Sequence, residues 1–177
     1  MSKITLVTGG ARSGKSRYAL DMARPLRRKT FIATAVAFDD EMRQRITRHR
    51  SERPLDFQTV EEPEDLARAL RALPPDLEIA LIDCLTVWVG NLMHRHPECG
   101  EEFPQIPAFL AALREVPCPV VVVTNEVGMG VVPENALARR FRDVAGRLNA
   151  AVAEIADTVV LLVSGLPVVI KPPQNCY

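Results

Sequence analysis

The sequence predicts an α/β fold, a mainly parallel β-sheet with helices on both faces. Short apolar runs alternate with stretches of helical character along the chain. Several of the runs, Ile79-Ala80-Leu81-Ile82 among them, are wholly apolar. The first run passes through a glycine-rich turn straight into a helix. At 177 residues the chain is expected to be one domain, 1–177.

Each element follows from local chemistry. Ile4 to Thr8 reads as a buried strand ending at Gly9-Gly10. Lys15 to Ala23 reads as a helix that Pro25 ends, and Thr30 to Thr34 as a second strand. Asp39 and Asp40 are N-caps for a helix to about Ser51. A third helix is placed at Pro63 to Leu70, with Pro63 in its first turn. Glu78 to Asp83 is a strand and Leu85 to Met93 a helix. His96 to Pro107, with its prolines and acids, is expected as a loop, and Phe109 to Arg114 as a short helix. Val120 to Thr124 is the most hydrophobic strand. A long helix, Pro133 to Ala156, is expected to be interrupted at Gly146. Thr158 to Val163 and Val168 to Lys171 complete the sheet, and Pro172 to Tyr177 is expected to fray.

Composition excludes several classes. Hydrophobic residues are 47% and charged residues 25%, a globular balance rather than a disordered one. Such a chain buries about 70% of its unfolded surface without a disulfide or metal staple. Lys+Arg and Asp+Glu are both 22, so there is no basic excess to suggest nucleic-acid binding. No apolar run approaches the roughly 20 residues of a membrane span, and no signal peptide is visible. Cys84, Cys99, Cys118 and Cys176 form no CxxC pair and are expected to be free thiols of a cytoplasmic protein.

Gly9-Gly10-Ala11-Arg12-Ser13-Gly14-Lys15-Ser16 fits G-x-x-x-x-G-K-[ST], with a strand before it and a helix after it. Glycines let backbone N–H groups converge on phosphate oxygens, and the helix N-terminus adds partial positive charge. Lys15 can reach the β- and γ-phosphates, and the Ser16 hydroxyl can ligate Mg²⁺. The pattern indicates nucleoside triphosphate binding. Asp83, at the end of an apolar strand, is the expected acid on the Mg²⁺ side. It is equally placed to cap the helix that follows. The guanine-reading N-K-x-D motif of signalling GTPases is missing; Thr124 is followed by Asn125-Glu126-Val127-Gly128.

His94 and His96 border the Pro-containing stretch and lack a zinc-like spacing. His49 differs. It follows Met42 and Ile46 at spacings of four and three, on one helix face. Arg45, Arg48, Arg50 and Arg53 surround it. Such a cluster attracts phosphates and disfavours an imidazolium. A neutral imidazole beside a triphosphate is a competent nucleophile toward phosphorus. A packed structural histidine has the same spacing, so both readings stand.

The motifs together resemble one family. They are Val7 to Arg17; Asp39-Asp40-Glu41-Met42 with Arg45-Ile46 and His49; Val123-Thr124-Asn125-Glu126-Val127-Gly128-Met129-Gly130; Pro133-Glu134-Asn135; and Arg142-Asp143 with Gly146-Arg147 and Asn149. From Ile4 to Lys171 the chain resembles the bifunctional adenosylcobinamide kinase / adenosylcobinamide-phosphate guanylyltransferases of cobalamin biosynthesis. The resemblance implies a P-loop NTPase-like, RecA-like fold and two reactions. In the first, ATP or GTP phosphorylates adenosylcobinamide. In the second, GTP donates GMP to adenosylcobinamide-phosphate through a GMP-histidine intermediate. The matching histidine is His49; some relatives carry a second histidine where Arg48 stands. By the same matching, nucleotide contacts fall on Gly9, Gly10, Ala11, Arg12, Ser13, Gly14, Lys15, Ser16, Thr34, Ala35, Val36, Arg50, Ser51, Glu52, Arg53, Glu61 and Asp83. Lys15 is implied to be catalytic with His49. Ser16 and Asp83 are implied as the Mg²⁺ side, and the assembly as a homotrimer. The Asn125–Gly130 loop is assigned to the corrinoid side or the kinase step, or else is a plain strand-to-helix turn. Against the bifunctional enzyme stand a simple phosphate-loop kinase with a structural His49, and a nucleotide-binding module without turnover.

Overall fold

The computed structural model describes residues 3–37, 39–52 and 56–173. A seven-stranded sheet forms its centre, in the order β3-β2-β4-β5-β1-β6-β7. The strands are β1 (Ile4–Gly9), β2 (Lys29–Ala33), β3 (Gln58–Glu61), β4 (Ile79–Asp83), β5 (Val120–Val123), β6 (Thr158–Val163) and β7 (Leu166–Lys171). All pairs are parallel except β6 with β7. The helices are α1 (Lys15–Ala23), α2 (Asp40–Glu52), α3 (Leu66–Arg71), α4 (Leu85–Arg95), α5 (Gln105–Arg114) and α6 (Ala136–Ile155).

Alternation along the strands builds two cores. Val7, Ile79, Leu81, Val121, Val123, Val160 and Leu162 face one side, where Ala19 and Ala23 of α1 pack. Ile4, Leu6, Ile82, Val120 and Val122 face the other, with Leu66 and Leu70 of α3, Trp88 of α4, Phe109 of α5 and Leu148 of α6. The expected architecture, helices on both faces, is therefore the one found. The four valines of β5 are all buried because both faces are covered.

Several boundaries differ from the sequence reading, β7 starting at Leu166 instead of Val168 and α4 ending at Arg95 instead of Met93 among them, and one strand is new. β3 was not expected: its residues Gln58-Thr59-Val60-Glu61 are polar and mostly exposed, as befits an edge strand. The third helix starts at Leu66, not Pro63. Asp65 caps it through Arg68 N (2.9 Å), while Glu62 Oε1 accepts from Glu64 N (3.0 Å) and Asp65 N (2.9 Å) in the preceding turn. α5 starts at Gln105, so Pro107 lies within a helix's first turn, where its missing N–H is harmless. The expected loop instead holds a 3₁₀ turn, Pro97–Cys99. α6 runs unbroken through Gly146 and begins after Asn135, whose side chain accepts from Ala138 N at 3.1 Å. The expected fraying falls mostly on residues 174–177, which lie outside the described residues, as does Cys176.

Glu62 shows what a buried acid needs. Burial pushes its carboxyl up, but Arg68 at 2.5 Å and two backbone amides outweigh that, and its pKa falls below the ordinary 4.5. A lowered folded pKa adds stability that is whole above 4.5 and is lost as pH falls through the folded value. Glu62→Gln is therefore expected to destabilise the protein at pH 7 by about 1–3 kcal/mol. The gap should narrow below pH 4.5, as read by urea unfolding across that range.

Candidate nucleotide and guanylyl-transfer site

The glycine-rich loop departs from the end of β1. Gly9 has φ 144°, and a Cβ there would meet Leu162 O at 2.4 Å and Ser13 Oγ at 2.9 Å. Only glycine allows that approach. Arg12 (φ 56°) and Gly14 (φ 95°) are left-handed, turning backbone amides inward as in an anion-binding nest. Lys15 is buried at the start of α1 and donates to Gly10 O (2.5 Å) and Ser13 Oγ (3.3 Å), drawing the loop's two ends together.

Two neighbouring segments brace the loop. Glu126 N donates to Gly9 O (3.0 Å), and Gly165 N donates to Ser13 O (3.1 Å). Gly165 sits in the β6–β7 turn with Ser164, both at positive φ, the two-residue pattern that suits a hairpin's twist. The sequence reading missed this contact, because nothing local ties a hairpin turn to residue 13.

The carboxyl ends of the strands bring the other expected residues to the same edge, where parallel α/β sheets bind ligands. Ala33 pairs with both Glu61 and Asp83, and Asp83 with Val123. Thr34 is fully buried, and its hydroxyl donates to Cys84 O (2.9 Å) and accepts from Cys84 N (2.8 Å). Asn91, also buried, donates to Thr34 O (2.7 Å) and Pro63 O (3.0 Å). Thr34 thus fixes the mouth between β2 and β4, and half-buried Ala35 and Val36 follow it. A second buried set anchors the β5–α6 loop. Thr124 Oγ1 donates to Asn149 Oδ1 (2.7 Å), Asn149 Nδ2 donates to Asn125 O (3.0 Å), and Thr86 Oγ1 accepts from Asn125 N (2.7 Å).

His49 lies in α2, three residues before its end, with Ser51 and Glu52. The helix keeps residues 42, 46 and 49 at one-face spacing. Arg50 forms an ion pair with Glu61, tying α2 to the end of β3. Arg53 lies outside the described residues.

Burial first, then the negative charge of Asp83, pushes the Cys84 thiol up to about 12. The Cys99 and Cys118 thiols are raised as well, chiefly by burial. All three described cysteines stay protonated near neutral pH, which disfavours a thiolate nucleophile. His96 Nε2 donates to Glu64 Oε1 (2.8 Å). Yet its ring, Glu98 and Cys99 bring ligand atoms within 4.8 Å of one another, a closeness the spacing did not suggest.

The family model described as cobinamide kinase / cobinamide phosphate guanyltransferase, CobU, matches residues 5–170. The chain belongs to this family. It is accordingly an enzyme of the bifunctional kinase and guanyltransferase class. The Bifunctional adenosylcobalamin biosynthesis protein CobU of Escherichia coli strain K12 is 43% identical over 180 residues, covering 94% of this chain and 98% of that one. The CobU protein of Salmonella typhimurium is 44% identical at the same coverages. CobP of Pseudomonas aeruginosa is 43% identical, over 94% of this chain and 96% of its own. Among solved structures, a type III secretion ATPase aligns with TM-score 0.57 at 9% identity, over 91% of this chain and 51% of that one. A Pyrococcus horikoshii OT3 protein, Project ID PH0250, aligns with TM-score 0.56 at 7% identity, over 98% and 88%. These two likenesses are of fold alone.

Gly9→Ala is expected to strain the loop by about 1–3 kcal/mol and to weaken GTP binding at least tenfold by calorimetry. Gly10→Ala, whose Cβ meets nothing within 4 Å, should leave the melting temperature near that of the parent chain.

Proposed function

We propose that this chain phosphorylates adenosylcobinamide and then transfers GMP from GTP to adenosylcobinamide-phosphate, through a GMP adduct on His49. The observation that supports it most is the shared edge. The phosphate loop, Thr34 to Val36, Glu61 and Asp83 converge there, and Arg50 joins the His49 helix to Glu61.

In the kinase step, the corrinoid's aminopropanol hydroxyl oxygen attacks the γ-phosphorus, the bond from that phosphorus to the β–γ bridging oxygen breaks, the nucleoside diphosphate leaves and the hydroxyl proton passes to water. Lys15, which now spans Gly10 O and Ser13 Oγ, shifts its donors to the β- and γ-phosphate oxygens. In the transfer step, an imidazole nitrogen of His49 attacks the α-phosphorus. A P–N bond forms, the α–β bond breaks, and pyrophosphate leaves. The corrinoid phosphate oxygen then attacks the same phosphorus and frees the imidazole, giving adenosylcobinamide-GDP. Splitting the transfer replaces one difficult displacement with two easier ones. Arg50, Ser51, Glu52 and Arg53 follow His49 directly and are assigned to the nucleotide with Glu61.

The hydroxyl of Ser16 and the carboxylate of Asp83 are hard oxygen donors beside the loop, a set that suits Mg²⁺. When bound, the ion neutralises phosphate charge as it develops. ATP is a second substrate in the kinase step. The assembly is assigned as a homotrimer; β7, an edge strand whose Leu166, Val168, Val169 and Ile170 are 50–69% exposed, offers an apolar surface for association. No helix among the described residues is long and apolar enough to cross a membrane. We assign the enzyme to the cytoplasm, in keeping with the free thiols of Cys84, Cys99 and Cys118.

Incubation with Mg²⁺ and GTP labelled at the α-phosphate tests the adduct. The expected result is protein-bound label that is acid-labile and alkali-stable, and that disappears in His49→Ala. Label retained in His49→Ala would move the nucleophile elsewhere. No label on protein that binds GTP would favour the simple kinase.

A further inference from the structure

A cleft of about 620 Å³ opens between the second half of α4 and the first two turns of α6. Met93, Pro97, Leu137 and Phe141 give it apolar walls, and Arg140 stands among them. The Nε and Nη2 atoms of Arg140 are buried and have no hydrogen-bond partner among the described residues. The guanidinium lies 6.0 Å from the centre of the Phe103 ring. A guanidinium carries five donors and is always charged. Burying the three N–H donors of Nε and Nη2 unmet is costly, so their retention calls for a ligand that accepts from them.

The position relates the cleft to the reaction site. Asn149 of α6 holds Asn125 O, and Glu126 N meets Gly9 O of the phosphate loop. Arg140 is nine residues from Asn149 on the same helix, about 14 Å along its axis. On α4, Thr86 holds Asn125 N, and Gly90 begins the cleft wall about 6 Å further on. The cleft therefore starts beside the loop that abuts the phosphate loop and extends outward. A long substrate with its reactive end at the nucleotide would lie along it.

Resting on the function proposed above, we propose that this cleft seats the corrin ring, with Arg140 donating to the carbonyl oxygens of its rim amides. The ring faces are apolar and methyl-bearing, which suits Met93, Leu137 and Phe141. The rim carries acetamide and propionamide groups, neutral acceptors that satisfy a guanidinium within apolar walls. His94 and Asn135 also line the cleft, but a small free anion would leave the apolar walls of Met93, Pro97, Leu137 and Phe141 uncovered. Nucleotide phosphates have their own cradle at Gly9 to Ser16.

Corrinoids absorb where tryptophan emits, and Trp88 on α4 is the chain's single tryptophan. Adenosylcobinamide is titrated in the dark into the full chain, into Arg140→Met and into Ala138→Phe, which fills the cleft. The expected result is saturable quenching of Trp88 in the parent chain, weakened at least tenfold in both variants. The KM for cobinamide should rise similarly while the KM for GTP holds. Parent-like binding by both variants would overturn the cleft assignment. So would dissociation of the oligomer in Arg140→Met alongside lost binding, since another copy would then be meeting the guanidinium. Should Arg140→Met melt early, Ala138→Phe decides between the same outcomes. A parent chain that neither binds nor phosphorylates cobinamide would overturn the proposed function itself, and the cleft assignment with it.

Discussion

The close approach of Gly9 to Leu162 is the constraint on which the rest of the site depends. A strand end without a side chain lets the phosphate loop lie against β6. From there the chain turns through Arg12 and Gly14 at positive φ and enters α1 with Lys15 buried. The β6–β7 turn and the β5–α6 loop then clamp the same few residues from either side, through Ser13 O and Gly9 O. A phosphate-binding loop needs its amides fixed before the ligand arrives, because ordering them on binding would subtract from affinity. Here the fixing is done by backbone contacts from elements far away in sequence.

The sheet was legible because its central strands obey one rule: both faces are covered, so the residues are apolar throughout. Ile79 to Ile82 and Val120 to Val123 announce themselves in that way. β3 does not, since an edge strand with exposed Gln58, Thr59 and Glu61 has no such requirement. The helix starts at Pro63 and Pro133 were misplaced for a related reason. Proline permits a first turn, but Asp65 and Asn135, which cap the amides, decide where the helix begins. The phosphate loop was readable because its glycines act at fixed offsets. Asn91 was legible only as a polar residue, and Thr34 and Asn149 only through the family resemblance. Their work, holding Cys84, Pro63 and Asn125, is tertiary and leaves no local spacing.

The site divides into a rigid and a surface part. The strand ends are held by buried hydrogen bonds whose loss would strand polar groups inside the protein. α2, by contrast, shows exposed side chains at Arg43, Gln44, Thr47 and Arg50, and reaches the sheet edge through the Arg50–Glu61 pair. An exposed ion pair of this kind is worth about 0–1 kcal/mol. Such a tether lets a helix that carries the proposed nucleophile change its distance from the phosphates at little cost. That suits a protein of the CobU family, in which the proposed γ-phosphate and α-phosphate chemistries call on different groups.

The central claim is that this one chain carries out both steps on one corrinoid. Mass spectrometry of the corrinoid, after incubation of the purified protein with adenosylcobinamide, GTP and Mg²⁺, tests it most directly. The account expects adenosylcobinamide-phosphate first and adenosylcobinamide-GDP as it declines. A reaction that stops at the phosphate, or nucleotide consumed with the corrinoid unchanged, would contradict it.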